Sequence, residues 1–163
     1  MNAFRARVIG IGHEARGDDA VGLLVVRGLR ADPGLPAAVE VHEHDGDGMD
    51  LLLMFEDADA VVLVDAVVSG SRAPGTLLRL DARAAPLPAR LFAPHSTHLL
   101  GVAEAVELAR ATDRLPAQLT LLGVEAAAFE FGQPLSPAVA AAVPVLLEQL
   151  RREFGVRERV VLG

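Results

Sequence analysis

Ala60-Val61-Val62-Leu63-Val64-Asp65 is the stretch that decides the fold. An unbroken apolar run of this length reads as a strand covered on both faces, because a half-exposed strand alternates apolar and polar residues. The aspartate at its end closes a run in which an unpaired charge would be costly, and this marks Asp65 as a functional candidate. In open α/β sheets, ligands gather at the carboxyl ends of the strands. The rest of the chain is therefore read for what else arrives at that edge.

Upstream, residues 7–10 form a β-branched, apolar first strand bounded by Gly10 and Gly12. Asp18 or Asp19 can cap a following helix to about Arg30, with Val21, Leu24, Val25 and Leu29 at helical spacing. Asp32-Pro33-Gly34 ends it. Residues 39–43 alternate as a half-buried strand, 44–48 form a Gly/Asp-rich loop, and 49–55 a short helix. Downstream, residues 69–75 read as a turn and 76–80 as a strand, and this hairpin-like link predicts one antiparallel pair. Residues 81–97 hold Pro86, Pro88 and Pro94 and read as a long loop. Ser96 or Thr97 then caps a helix from His98 to about Ala111. Residues 119–124 are a fifth strand, and Ser136-Pro137 starts a last helix to about Phe154, with residues 157–163 unassigned. Helices alternating with apolar strands predict an α/β domain with a mostly parallel sheet of about five strands and helices on both faces. No repeat or linker divides residues 1–163, so one domain is expected.

At 52% hydrophobic residues the chain can bury a substantial core. A net charge of -7 argues against nucleic acid, which needs a basic patch. No apolar run reaches the ~18 residues of a membrane span, and the N-terminus reads as a strand and not a signal peptide. A cytoplasmic protein is expected. The 163 residues include no cysteine, and all 15 basic residues are arginine. Disulfides, thiolate ligands, a Cys nucleophile, a Lys Schiff base and a phosphate-loop lysine are thereby excluded.

The chemistry must come from Asp, Glu, His, Ser, Thr or Arg, or from a metal. Asp19 lies just after the first strand, Asp65 ends the third, and His98 opens a helix after the long loop. Two carboxylates and an imidazole on three separate edges suit a divalent first-row metal with open positions. Each also has a plainer reading: Asp19 as a helix cap, Asp65 as a strand end, His98 as a surface histidine. His95, three residues before His98, is accessory. His42 and His44 share one face of a strand, as a metal pair or as a solvated strand end. His13 and Glu14 have no assigned role. Gly10-Ile11-Gly12-His13-Glu14-Ala15 loosely matches a dinucleotide-binding turn, but Asp18 and Asp19 would place two negative charges where a pyrophosphate needs bare amides. There is no G-x-S-x-G elbow and no H-E-x-x-H.

Taken in order, Val8-Ile9-Gly10-Ile11-Gly12, Arg16-Gly17-Asp18-Asp19-Ala20-Val21-Gly22, Val64-Asp65-Ala66, Ser69-Gly70, Pro74-Gly75-Thr76, and Ser96-Thr97-His98 with Gly101 resemble the hydrogenase maturation protease family over about residues 7–150. The resemblance implies a three-layer α/β/α sandwich of phosphorylase/hydrolase-like type, with a five-stranded twisted sheet. It implies an endopeptidase, sometimes classed as aspartic-type, that removes the C-terminal extension from the precursor large subunit of a NiFe hydrogenase once nickel is in place. The family's metal-contacting and catalytic acids fall on Asp19 and Asp65, and its histidine on His98 by register with Gly101. Gly46, Gly48 and His95 become candidate substrate-binding positions. Nickel is expected to arrive with the substrate, with other divalent metals as substitutes in vitro. A non-catalytic nickel-dependent chaperone of hydrogenase assembly is the alternative. The sequence departs from the family in three places: His13 where Asn is frequent, Asp19 where some members carry Glu, and His44-Asp45-Gly46-Asp47-Gly48 where a Gly-Thr step is usual.

Overall fold

The structure, a computed structural model, describes residues 3–92 and 98–156. Five strands, β1 (Ala6–Ile11), β2 (Val39–His44), β3 (Ala60–Val67), β4 (Leu77–Asp81) and β5 (Gln118–Glu125), form one sheet in the order β2-β1-β3-β5-β4. Among the described residues, four α-helices cover its faces: α1 (Val21–Arg30), α2 (Gly48–Leu53), α3 (Val102–Ala111) and α4 (Pro137–Glu153). The mostly parallel five-stranded α/β fold read from the sequence is the observed one.

Strand periodicity distributes the core. Odd-numbered residues of the central strands (Ile9, Ile11, Val61, Leu63) pack under α2 and α3 with Leu51, Phe55, Val102 and Val106. Even-numbered ones (Val8, Val62, Val64) pack under α1 and α4 with Val25, Leu29, Leu146 and Leu150. All eight residues of β3 are buried, as its sequence requires. Asp65 therefore projects to the α2–α3 face, in line with Leu63 and Val67.

The order of connections matters for function. The chain runs from β1 outward to β2, then crosses back over β1 to β3. Loops leaving β1 and β3 thus diverge, and a crevice opens between their carboxyl ends, where α/β sheets bind ligands.

Several local expectations are corrected. Asp65 does not end its strand: Ala66 and Val67 continue it, paired with Val124 and Glu125. The antiparallel pair exists, but β4 takes β5 as partner and not β3. The reason is that both edges of β3 are already occupied by β1 and β5. Neither Asp18 nor Asp19 caps α1, since residues Gly17–Ala20 form a 3-10 turn ahead of it and no side chain caps either element. Helix α3 begins at Val102, after an extended Gly101, so His98 stands before the helix and not in its first turn. The Ser96 or Thr97 cap lies outside the described residues.

Candidate functional site

The crevice at the β1/β3 edge is a cleft with an acidic floor and apolar walls. Asp19 and Asp65 line it together with Gly12, His13, Asp45 and Gly46. Ile11, Phe92, Val102 and Phe129 supply apolar wall. Of the sequence candidates, Asp19 and Asp65 are brought into one space. Asp65 is only 6% exposed. Burial, and then the negative charge of Asp19, push its carboxyl well above the usual carboxylate range, partly countered by a hydrogen bond from the Ala66 amide. A buried carboxyl beside a second acid invites either a proton or a cation.

How Asp19 reaches the cleft depends on its neighbour. Asp18 is completely buried. Its Oδ2 accepts hydrogen bonds from the amides of Ala127 (2.8 Å) and Ala128 (3.0 Å) and from the Ser136 hydroxyl (2.8 Å). Its Oδ1 accepts from the Ser136 amide (2.7 Å). Burial pushes the Asp18 carboxyl up, but these donors outweigh it and hold the group below the usual range. Asp18 thus ties the 3-10 turn carrying Asp19 to the segment between β5 and α4. The Ser136 hydroxyl is spent on this latch and does not cap α4. Gly17, at φ 55°, turns the chain against Ala128.

His98 stands at the side of the cleft. Its Nε2 lies 3.3 Å from the Asp45 carbonyl oxygen, and its ring is nearly parallel to that of His13, with centroids 6.5 Å apart. The loop after β2 holds this neighbourhood together. His44 is buried; its Nδ1 accepts from the Gly46 amide (2.9 Å) and its Nε2 sits 2.8 Å from Asp50 Oδ2. Both nitrogens being committed to the loop and to α2, His44 does not pair with His42 on a metal. The Asp45 carboxyl is held below the usual range, first by the Asp47 amide and then by nearby imidazoles including His98. Gly46, at φ 91°, lines the cleft. Gly48 plays a packing role: its amide donates to the Leu100 carbonyl (2.8 Å), and a Cβ there would press on the Leu100 and Gly101 carbonyls. His95 lies outside the described residues. Among the described residues, no three His, Asp or Glu side chains are close enough together to hold a metal ion unaided. The sequence reading missed Asp18 as a latch and gave no role to His13, whose Nδ1 lies 2.8 Å from Asp19 Oδ2.

Fold and cleft together define an α/β protein of the doubly wound kind, with a carboxylate pair at its ligand-binding edge. The family model described as hydrogenase maturation protease matches residues 23–153. The chain is 36% identical over 156 residues to the hydrogenase 2 maturation protease of Escherichia coli (strain K12), covering 94% of each. It is 31% identical over 159 residues to the hydrogenase expression/formation protein HupD of Rhodobacter capsulatus, covering 94% of this chain and 74% of that one. The structure of the hydrogenase maturating endopeptidase HybD from E. coli matches with a TM-score of 0.80 at 34% identity, over 94% of this chain and 96% of that one. The chain belongs to the hydrogenase maturation protease family and is a peptidase.

Proposed function

We propose that this peptidase removes the C-terminal extension from the precursor large subunit of a NiFe hydrogenase, in the cytoplasm, and that it recognises the nickel already seated in that precursor. The observation that carries the reading is the buried Asp65 facing Asp19 in an open cleft. A divalent cation brought there lowers the Asp65 pKa and lets that group ionise beside the Asp19 carboxylate. A metal that arrives inside a substrate keeps ligands of its own and needs only a few more. Asp19 and Asp65 supply hard oxygens, and His98 an imidazole at the cleft's edge. A water beside that cation loses its proton more readily, to a cleft carboxylate; its oxygen would then attack the scissile carbonyl carbon, and as the C–N bond breaks the proton passes to the leaving amine. Precursor without nickel leaves the two acids uncompensated, which makes metal loading a condition for cleavage. Among the described residues no helix is long and apolar enough to cross a membrane.

The test is a mass measurement on nickel-loaded precursor incubated with the wild type, Asp19→Ala or His98→Ala. Loss of a C-terminal peptide with the wild type alone is expected. Intact precursor that co-purifies with the wild type but not with the variants would replace the protease reading with that of a nickel-dependent chaperone.

A further inference from the structure

His13 follows the tight passage of Gly12, where a Cβ would collide with the Asp19 carbonyl oxygen. The Gly12 amide donates to the His44 carbonyl (3.0 Å), and the Arg16 amide to the His13 carbonyl (3.3 Å). The backbone of His13 is therefore fixed relative to Asp19. Its Nδ1 lies 2.8 Å from Asp19 Oδ2. A carboxylate accepts, so the ring donates from Nδ1, and in a neutral imidazole this leaves Nε2 without a proton. An ordinary surface histidine–carboxylate pair contributes little, about 0–1 kcal/mol. This pair differs in place: the side chain of His13 is 43% exposed, but it and Asp19 both line the cleft, and Asp19 is 15% exposed. Carboxylates that meet a metal are themselves held by hydrogen bonds, and removing such a partner costs typically about 10–100-fold in affinity or activity.

We propose that His13 is a positioning residue: its Nδ1–H holds Asp19 Oδ2 and so fixes the orientation in which that carboxylate meets the substrate's cation. This rests on the function proposed above, in which Asp19 faces the substrate, and the experiment separates the two. His13→Asn keeps a donor near the Nδ1 position, whereas His13→Gln offers one nearer Nε2 and His13→Ala offers none. The kcat/KM for nickel-loaded precursor is expected to fall about 10–100-fold in His13→Ala, to return largely in His13→Asn and to stay low in His13→Gln. Nitrogen-15 NMR of the substrate-free protein reads the tautomer directly. Neutral His13 is expected as Nδ1–H in the wild type and as Nε2–H in Asp19→Ala. A wild-type Nε2–H tautomer, or His13→Ala cleaving at the wild-type rate, overturns the proposal. If the wild type does not cleave the precursor, the proposed function fails, and the tautomer with its response to Asp19→Ala alone decides for or against the His13–Asp19 bond.

Discussion

Asp18→Ala should cost far more stability than its place beside Asp19 suggests. The substitution removes an acceptor that holds three backbone amides, Ala127, Ala128 and Ser136, and one hydroxyl. The hydroxyl can turn elsewhere, but the amides cannot. A buried donor left unsatisfied costs about 1–3 kcal/mol, so three fully sealed ones would give about 3–9 kcal/mol, but Ala127 is exposed and Ala128 and Ser136 are half-buried. Water entering the vacated space would bring the figure toward the low end, about 3–5 kcal/mol. At about 2–4 °C per kcal/mol for a domain of this size, Tm falls by roughly 6–20 °C. Asp18→Asn should lose less, since its carbonyl oxygen still serves one side of the latch while its amide meets donors on the other. Because the folded carboxyl titrates below its unfolded value, this stabilisation is fully present above the usual carboxylate range. It disappears as pH falls through the lowered native value. Calorimetric melting of wild type and Asp18→Ala across acid and neutral pH measures both effects. A loss under about 1 kcal/mol at neutral pH would refute the latch.

Asp65 predicts the opposite sign. Its folded pKa is raised by burial and by Asp19, so the native state holds a proton that the unfolded chain has released, and stability declines as pH climbs above the usual carboxylate range. Asp65→Asn should therefore be more stable than the wild type at pH 7, with the advantage fading toward acid pH, while cleavage is lost; denaturant melts at two pH values check this. Gly22 in α1 lies over β1 and β3, where a Cβ would meet the Val64 and Ile11 carbonyls. Helix propensity alone favours Ala by about 1 kcal/mol, whereas overpacking costs about 1–3 kcal/mol. Gly22→Ala should lower stability, and a gain in a urea titration would refute the close approach.

The sequence was informative where one residue's surroundings are set by its neighbours. An apolar run such as residues 60–65 needs cover on both faces, and the parallel sheet follows. Asp65 is misplaced by two positions within β3, yet stays at the carboxyl edge, because strand ends drift without moving the edge they define. The start of α3 was misread for a local reason too. Leu99 and Leu100 look like the first apolar turn of a helix, but Leu99 is fully exposed and Gly101 is extended (φ -93°, ψ -171°). His98 is consequently set by the β2 loop it touches, not by a helix start.

Asp18 and Asp19 mark the limit of reading along the chain. They are adjacent and chemically identical, and their local sequence offers the same capping role to both. What separates them lies 109 to 118 residues away: Ala127, Ala128 and Ser136 converge on Asp18 and bury it. With Asp18 anchored beneath the turn, Asp19 is the member of the pair that lines the cleft. His13 is a milder case of the same problem, because a contact across a six-residue loop carries no periodicity that a sequence could display. The two acids therefore divide by distant contacts: one holds the turn in place, and the other lines the cleft with His13 against it.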